Sequence, residues 1–374
     1  MEIDSYAMFS RNQYDAHRLT RSLLTDSMER LAKRCKIEND ANPKQNQRRL
    51  IADLGSADGS SSLATLDFAV RSIRSNYNSI NGPLQLNITF EEHPASDEKK
   101  LKSTLESNKE WFERNDITWN VLMKSFYEPL FDRDSLDFLM SYICLHWLDT
   151  TDVPKGESIS HWKALGDEDR VMACDWVHIN EATAPFRVQD AWRSKLAVTH
   201  LAKFLALRAR ELKPGAEMLL VMVGHPHEFV TLRDGDKTGP LTRAMKRCIV
   251  KGKLRREVLD RTVVPYFLRT VDDVRDAIKV AETVEIENET PGAKLELIDC
   301  RSIAAMTKDD DNGMDGIFDL FWSIHRNCIQ TAKPTDDEFE SIKLETRHLF
   351  DEIYDSNDGV PSTFVACTLR RRQE

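Results

Sequence analysis

The sequence predicts an α/β fold in which a mainly parallel sheet is covered by helices and topped by a helical cap. Three observations point to it. Short apolar runs alternate with stretches of helical period, the pattern of strand–helix–strand units. The first of these runs passes through a loop of small residues straight into a helix. Two stretches, 152–194 and 225–285, break the alternation after strands, where insertions would cover the ligand crevice of an open sheet.

In chain order, Leu50 to Leu54 is a short apolar run closed by Gly55 and reads as a buried strand. Ser60 to Tyr77 carries Leu63, Leu66, Ala69, Val70 and Ile73 at helical spacing. Leu84 to Phe90 and Leu136 to Tyr142 read as the second and third strands. Lys195 to Leu212 is a strong helix, with Lys213-Pro214-Gly215 as its stop signal. Met218 to Val223 is a continuous apolar strand, and Leu295 to Ile298 and Thr363 to Leu369 are two late ones. Trp162, Trp176, Phe186 and Trp192 stand among polar residues in the first insertion, and the second reads as helical. No repeat or long linker divides the chain. Residues 1–374 therefore read as one domain, with a core of about 45–150, 195–224 and 290–374 and cap segments of about 152–194 and 225–285.

The 374 residues include 52 Lys plus Arg and 62 Asp plus Glu, for a net charge of −10. Such a chain lacks the surplus cations that phosphate neutralisation needs, which excludes most nucleic-acid partners. The basic stretch Arg243 to Arg261 is the local exception, and on a cap helix it reads as a solvated face or as an attractor of anionic substrates. With 41% hydrophobic and 30% charged residues, the composition is that of a soluble globular protein. No run approaches the roughly 18 apolar residues of a membrane span. Met1-Glu2-Ile3-Asp4-Ser5 shows no signal peptide. The seven cysteines are scattered without a Cys-x-x-Cys pair, which fits a reducing compartment, the cytoplasm by default. Asp309-Asp310-Asp311-Asn312-Gly313 has its glycine too early for a calcium loop and reads as an exposed turn.

The most informative segment is Ile51-Ala52-Asp53-Leu54-Gly55-Ser56-Ala57-Asp58-Gly59. The dinucleotide fingerprint needs Gly-x-Gly-x-x-Gly, and here Ala57 and Ser60 hold its second and third glycine positions. What remains, Asp-x-Gly-x-x-x-Gly, is the kind of loop that cradles the amino-acid part of S-adenosylmethionine. Glu91-Glu92-His93-Pro94 follows the next strand, where a carboxylate can accept both ribose hydroxyls of an adenosine.

Six segments, in order between residue 5 and about 275, then resemble one family. They are Ser5-Tyr6-Ala7-Met8-Phe9-Ser10 with Gln13; Ile51 to Gly59; Ser125-Phe126-Tyr127 with Leu130-Phe131; Leu145-His146-Trp147-Leu148; Arg208-Ala209-x-Glu211-Leu212-x-Pro214-Gly215; and Val264-Pro265-Tyr266 leading to Asp273-Val274. The family is the plant-type carboxyl methyltransferases called SABATH, whose members methylate salicylate, benzoate and jasmonate. The resemblance implies a class I methyltransferase core, a Rossmann-like seven-stranded sheet with an α-helical cap. It implies S-adenosylmethionine as methyl donor and S-adenosylhomocysteine as its product, a small carboxylic acid as acceptor, and a frequent homodimer.

By the same resemblance, Tyr6, Asp53, Gly55, Ser56 and Ser61 would line the donor's methionine end. Glu92 would hold its ribose, His93 would lie beside the adenine, and Ser125 and Phe126 would hold that base. Gln13 and Trp147 would grip the substrate carboxylate through side-chain N–H groups, and His146, Ile143 and Tyr142 would border the pocket. There are departures: Ser61 stands where the family usually has Asn, Glu92 where it has Asp, and Ile143 where it has Tyr. Val263 replaces the Asn of a segment that binds metal in some members, so no magnesium is expected. A carboxylic acid ionises near pH ~4, so the acceptor would arrive as its own nucleophile and catalysis would rest on alignment rather than on a general base. Three alternatives stay open: N-methylation of a small heterocycle, a cofactor-binding module without catalysis, and nucleic-acid methylation.

Overall fold

The computed structural model describes residues 13–41, 48–77, 84–150, 175–179, 184–225, 239–286, 294–307, 313–354 and 360–373. Seven strands form one sheet: β1 (Arg49–Leu54), β2 (Leu86–Glu92), β3 (Ile117–Met123), β4 (Leu136–Tyr142), β5 (Leu212–Val223), β6 (Leu295–Thr307) and β7 (Val360–Arg371). Their order is β3-β2-β1-β4-β5-β7-β6, with only β7 antiparallel to its neighbours. The strand order reverses between β1 and β4, and ligands of open α/β sheets bind outside the carboxyl ends at such a point.

The helices are α1 (Arg21–Ala41), α2 (Ser60–Asn76), α3 (Glu98–Ser107), α4 (Lys109–Arg114), α5 (Phe186–Ala191), α6 (Thr199–Glu211), α7 (Pro240–Val250), α8 (Arg256–Arg261), α9 (Val271–Ala281), α10 (Gly313–Thr331) and α11 (Asp336–Ile353). Residues 13–19 form a helical lead-in to α1. Alternation along each strand sends side chains to two cores. Ile51, Ile88, Phe90 and Phe138 pack with Met28, Leu31 and Cys35 of α1 and Leu66, Val70 and Ile73 of α2. On the other face, Ala52, Leu54, Leu139, Met218 and Leu220 meet Leu201, Phe204 and Leu205 of α6 and Val274 and Ala277 of α9.

A third cluster joins α7, α8, α10 and α11 through Leu241, Met245, Val258, Ile317, Phe318, Trp322, Ile342 and Phe350. Residues 313–353, placed by sequence within the core span 290–374, pack instead in this cap, and α9, placed in the cap, covers the sheet. An amphipathic stripe states that a helix is half-buried, but not against what. A fourth cluster holds Val188, Ala191, Trp192, Leu196 and Ala197. Its helix continues from α5 through a π-helical stretch, Trp192–Val198, into α6 without a break.

Two further readings are corrected. β3 was missed: it is an edge strand whose exposure alternates from Ile117 to Val121, with Thr118 and Asn120 in solvent, so its apolar run is only Val121-Leu122-Met123. Lys213-Pro214-Gly215 does not form a loop after the helix, because β5 begins at Leu212. Gly215, at φ +76°, instead lies in an irregular stretch where the β4–β5 register shifts between Leu136 and Phe138. Among the described residues, no helix is long and apolar enough to cross a membrane.

Candidate active site

Asp53 stands one residue before the end of β1, buried, and Ser56 Oγ donates to its Oδ2 at 3.0 Å. Burial raises its carboxyl to about 6, against hydrogen bonds from Ser62 and Ser56 that pull the other way. A buried carboxylate so poorly compensated is a seat for a cation. Gly55 turns the chain at φ +76°, and a Cβ there would lie 2.7 Å from Cβ and Sγ of Cys144, so only glycine lets the loop lie this close to β4.

The loop is braced from β2. Glu91 O accepts from the Gly55 and Ser56 N–H groups at 3.1 and 3.0 Å, and Glu91 Oε2 from Gly55 at 3.0 Å. Burial, with Glu92 beside it, raises the Glu91 carboxyl well above the usual range. Glu92 accepts from Ala57 N–H at 2.6 Å, His93 N–H at 2.8 Å and Ser96 Oγ at 2.9 Å. That occupies three of about four acceptor positions of a carboxylate, so Glu92 shapes the loop and keeps one position for a ligand. His93 is exposed, and its Nδ1 accepts from Ala95 N–H.

Ser125 and Phe126 follow β3. Ser125 Oγ accepts from Tyr127 N–H at 3.2 Å, and the Phe126 ring is half-buried against Tyr127 and Phe204. What holds this segment was not legible as a role in the sequence. Buried Arg208 on α6 donates to the carbonyls of Phe126 (2.9 Å) and Glu128 (2.8 Å) and pairs with Glu211. Glu211 Oε1 in turn accepts from the N–H groups of Leu130 and Phe131 at 2.7 and 3.2 Å. The matched segments at 125–131 and 208–212 are therefore two halves of one clamp.

Ser61, expected against the donor, gives its hydroxyl proton to Gln13 Oε1. That contact joins the helical lead-in to the first turn of α2. It also orients the amide: with its oxygen turned to Ser61, Gln13 presents its N–H groups away from that hydroxyl. Tyr142 lies under the same lead-in, its ring 4.1 Å from that of His17. Ile143 follows at φ +52°, a strained conformation for a β-branched residue. Tyr6 lies outside the described residues.

Trp147 is held by its backbone. Its N–H donates to Cys144 O at 3.0 Å, its carbonyl accepts from Tyr127 OH at 2.7 Å, and it pairs with Tyr266 in a β-bridge. Its ring lies 5.4 Å from that of His146 and edge-on to Tyr266 at 5.7 Å. Tyr266 leads on to His178 and His325, whose Nε2 atoms are 2.9 Å apart. His325 Nδ1 lies 2.6 Å from Phe321 O, an acceptor only, so Nδ1 carries the proton and His178 Nε2–H donates to His325 Nε2. Burial lowers both His146 and His325 to about 3, the first helped by fully buried Arg269 and the second by His178. The sequence reading missed Tyr266 as a neighbour of Trp147, His178 and His325 as the group behind Tyr266, and Arg269 as a charge acting on His146.

Asp53, Glu92, Ser125 and Phe126 thus stand at the carboxyl ends of β1, β2 and β3, beside the β1–β4 switch point. An under-compensated carboxylate, a second one with a free acceptor position, a hydroxyl and an aromatic ring suit the cation, ribose and base of S-adenosylmethionine. Gln13 and Ser61 stand beside the loop, and Trp147 under the cap cluster.

Residues 2–311 match the family described as SAM dependent carboxyl methyltransferase. The chain is 27% identical over 292 residues to a probable caffeine synthase of Coffea canephora, covering 76% of this chain and 71% of that one. It is 25% identical to the jasmonate O-methyltransferase of Arabidopsis thaliana (63% of this chain, 63% of that one) and 24% to the loganic acid O-methyltransferase of Catharanthus roseus (63% and 60%). The chain thus matches less than two thirds of the length of the latter two relatives. A solved loganic acid methyltransferase with SAH superposes with a TM-score of 0.73 at 19% identity, covering 100% of this chain and 98% of that one, and so shares its fold. The chain belongs to the S-adenosylmethionine-dependent carboxyl methyltransferases.

Proposed function

We propose that the protein forms methyl esters of a small-molecule carboxylic acid, with Gln13 and Trp147 orienting the acid. The observation that carries this is the state of the groups around Trp147. His146 and His325 are held too weakly basic to take a proton at neutral pH, while Gln13 offers a neutral N–H donor fixed by Ser61. Such a site suits an acceptor that needs no deprotonation. An ionised carboxylate meets that requirement and a neutral alcohol does not.

S-adenosylmethionine supplies an electrophilic methyl on a cationic sulfur. Asp53 attracts the positive end of the donor, and Glu92, Ser125 and Phe126 seat its nucleoside. Gln13 and Trp147 would donate to one carboxylate oxygen and leave the other free to meet the donor's methyl, so their part is alignment. A cap closed over the acid would exclude water and so strengthen the attraction between carboxylate and sulfonium. Tyr142 braces the lead-in, and Ile143 and His146 stand on the pocket wall. The working unit is one domain whose cap consists of α7, α8, α10 and α11.

The test is a panel of aromatic, terpenoid and fatty acids, their matching alcohols and xanthines, each incubated with methyl-labelled donor. Labelled methyl esters from acids alone are expected. Label on xanthine nitrogens, or equal transfer to alcohols, overturns the reading.

A further inference from the structure

Outside the site, the sheet brings two cysteines face to face. Cys300 on edge strand β6 is the register partner of Cys367 on β7, and both face the core that α9 covers. Directly opposed residues of antiparallel strands have Cα atoms about 4.5–5.5 Å apart, within the span a disulfide bridges. Cys300 is half-buried and Cys367 fully buried, and both are free thiols.

We propose that Cys300 and Cys367 form a thiol–disulfide exchange site, in which Cys300 is attacked first and Cys367 resolves the adduct, with a low-molecular-weight disulfide such as glutathione disulfide as oxidant. The Cys300 thiolate attacks one sulfur of that disulfide; the S–S bond breaks and one glutathione thiolate leaves. Cys367 then loses its proton to solvent and attacks the Cys300 sulfur, expelling the second glutathione. Two protein thiols are oxidised to one disulfide, and one glutathione disulfide is reduced to two thiols.

Among the described cysteines, the surroundings select Cys300. The hydrogen bond from Cys367 lowers its thiol, and Arg275 on α9 adds to this against burial, Asp299 and Asp272. Burial pushes Cys35 and Cys328 up to about 11 and raises Cys144 and Cys248 as well. Thiolate character and access govern such chemistry. The bridge would close residues 300–367 into a loop, and that loop carries α10 and α11, half of the cap.

The full-length chain treated with glutathione disulfide is expected to lose the mass of two hydrogens, to yield a peptide linking Cys300 to Cys367, and to revert in dithiothreitol. Cys367→Ser, or Cys367→Ala should the serine variant unfold, is expected to retain one glutathione on Cys300. Cys300→Ser is expected to give neither product. The oxidised wild type should unfold at a higher temperature than the reduced form, a difference absent from Cys367→Ala. A glutathione adduct that persists on Cys300 of the wild type, a link between other cysteines, or an unmoved unfolding temperature in the linked protein overturns the proposal.

Discussion

At the scale of single residues, the Ser61–Gln13 contact separates orientation from affinity. Gln13→Ala and Trp147→Ala are expected to lower kcat by about a hundredfold, the order of magnitude that misplacing reacting atoms costs. Donor affinity should stay within about threefold. Ser61→Ala leaves Gln13 in place but free to turn, so a smaller loss in kcat, about tenfold, is expected; steady-state kinetics with calorimetry checks all three. Asp53 gives a pH signature. Its folded value of about 6 lies above the ordinary 3.8, so its contribution to stability is present below that ordinary value and is lost as pH rises through about 6. At neutral pH the buried charge therefore weakens the fold, by an amount on the order of 3 kcal/mol. Asp53→Asn should raise the unfolding temperature at pH 7 while weakening donor binding. The wild type's donor affinity should drop as pH falls through about 6, and the same substitution should abolish that drop.

At the scale of elements, the clamp from α6 to the segment after β3 predicts a separable pair of effects. Arg208→Met strands buried Glu211 and should cost about 3–5 kcal/mol in chemical denaturation. Arg208→Met with Glu211→Leu should recover much of that stability but not donor affinity, because Leu130 and Phe131 lose their acceptor. Legibility followed the same division. Buried parallel strands such as β4 and β5 declare themselves as apolar runs, and the Asp53–Gly59 loop as a cluster of small residues. Edge strand β3 does not, since its polar residues alternate into solvent. The roles of Arg208 and Glu211 were hidden for another reason: nothing local states that an i, i+3 ion pair on a helix will bury itself against a loop about eighty residues earlier in the chain. His178, Tyr266 and His325 were likewise unreadable as a group, because they meet only through the fold.

At the scale of the whole molecule, the basic stretch Arg243 to Arg261 is not a free patch. Arg247 and Lys251 pair with Glu345, Arg255 with Glu338, and Arg256 with Asp175 and Asp260. Glu345 and Glu338 lie on α11, so Arg247, Lys251 and Arg255 hold that helix to the α7–α8 segment. The Michaelis constant for the acid is accordingly expected to change by less than about twofold between low and high salt, where long-range attraction would be screened away. The continuous rod from α5 to α6 ties the fourth cluster, that of Val188 and Trp192, to the sheet. Its π-helical stretch, Trp192–Val198, departs from the α-helical phase between two packing faces, one on the cluster of Val188 and Ala191 and one on the sheet. Because this stretch already absorbs one extra residue, inserting a further one after exposed Lys195 would rotate everything ahead of it by about 100°. Phe186, now 83% exposed, would turn with it, and the cluster around Val188 would lose its seat. Such a protein should still bind donor normally while its turnover collapses, a gear slipped by one tooth between the half that holds the reagent and the half that encloses the reaction.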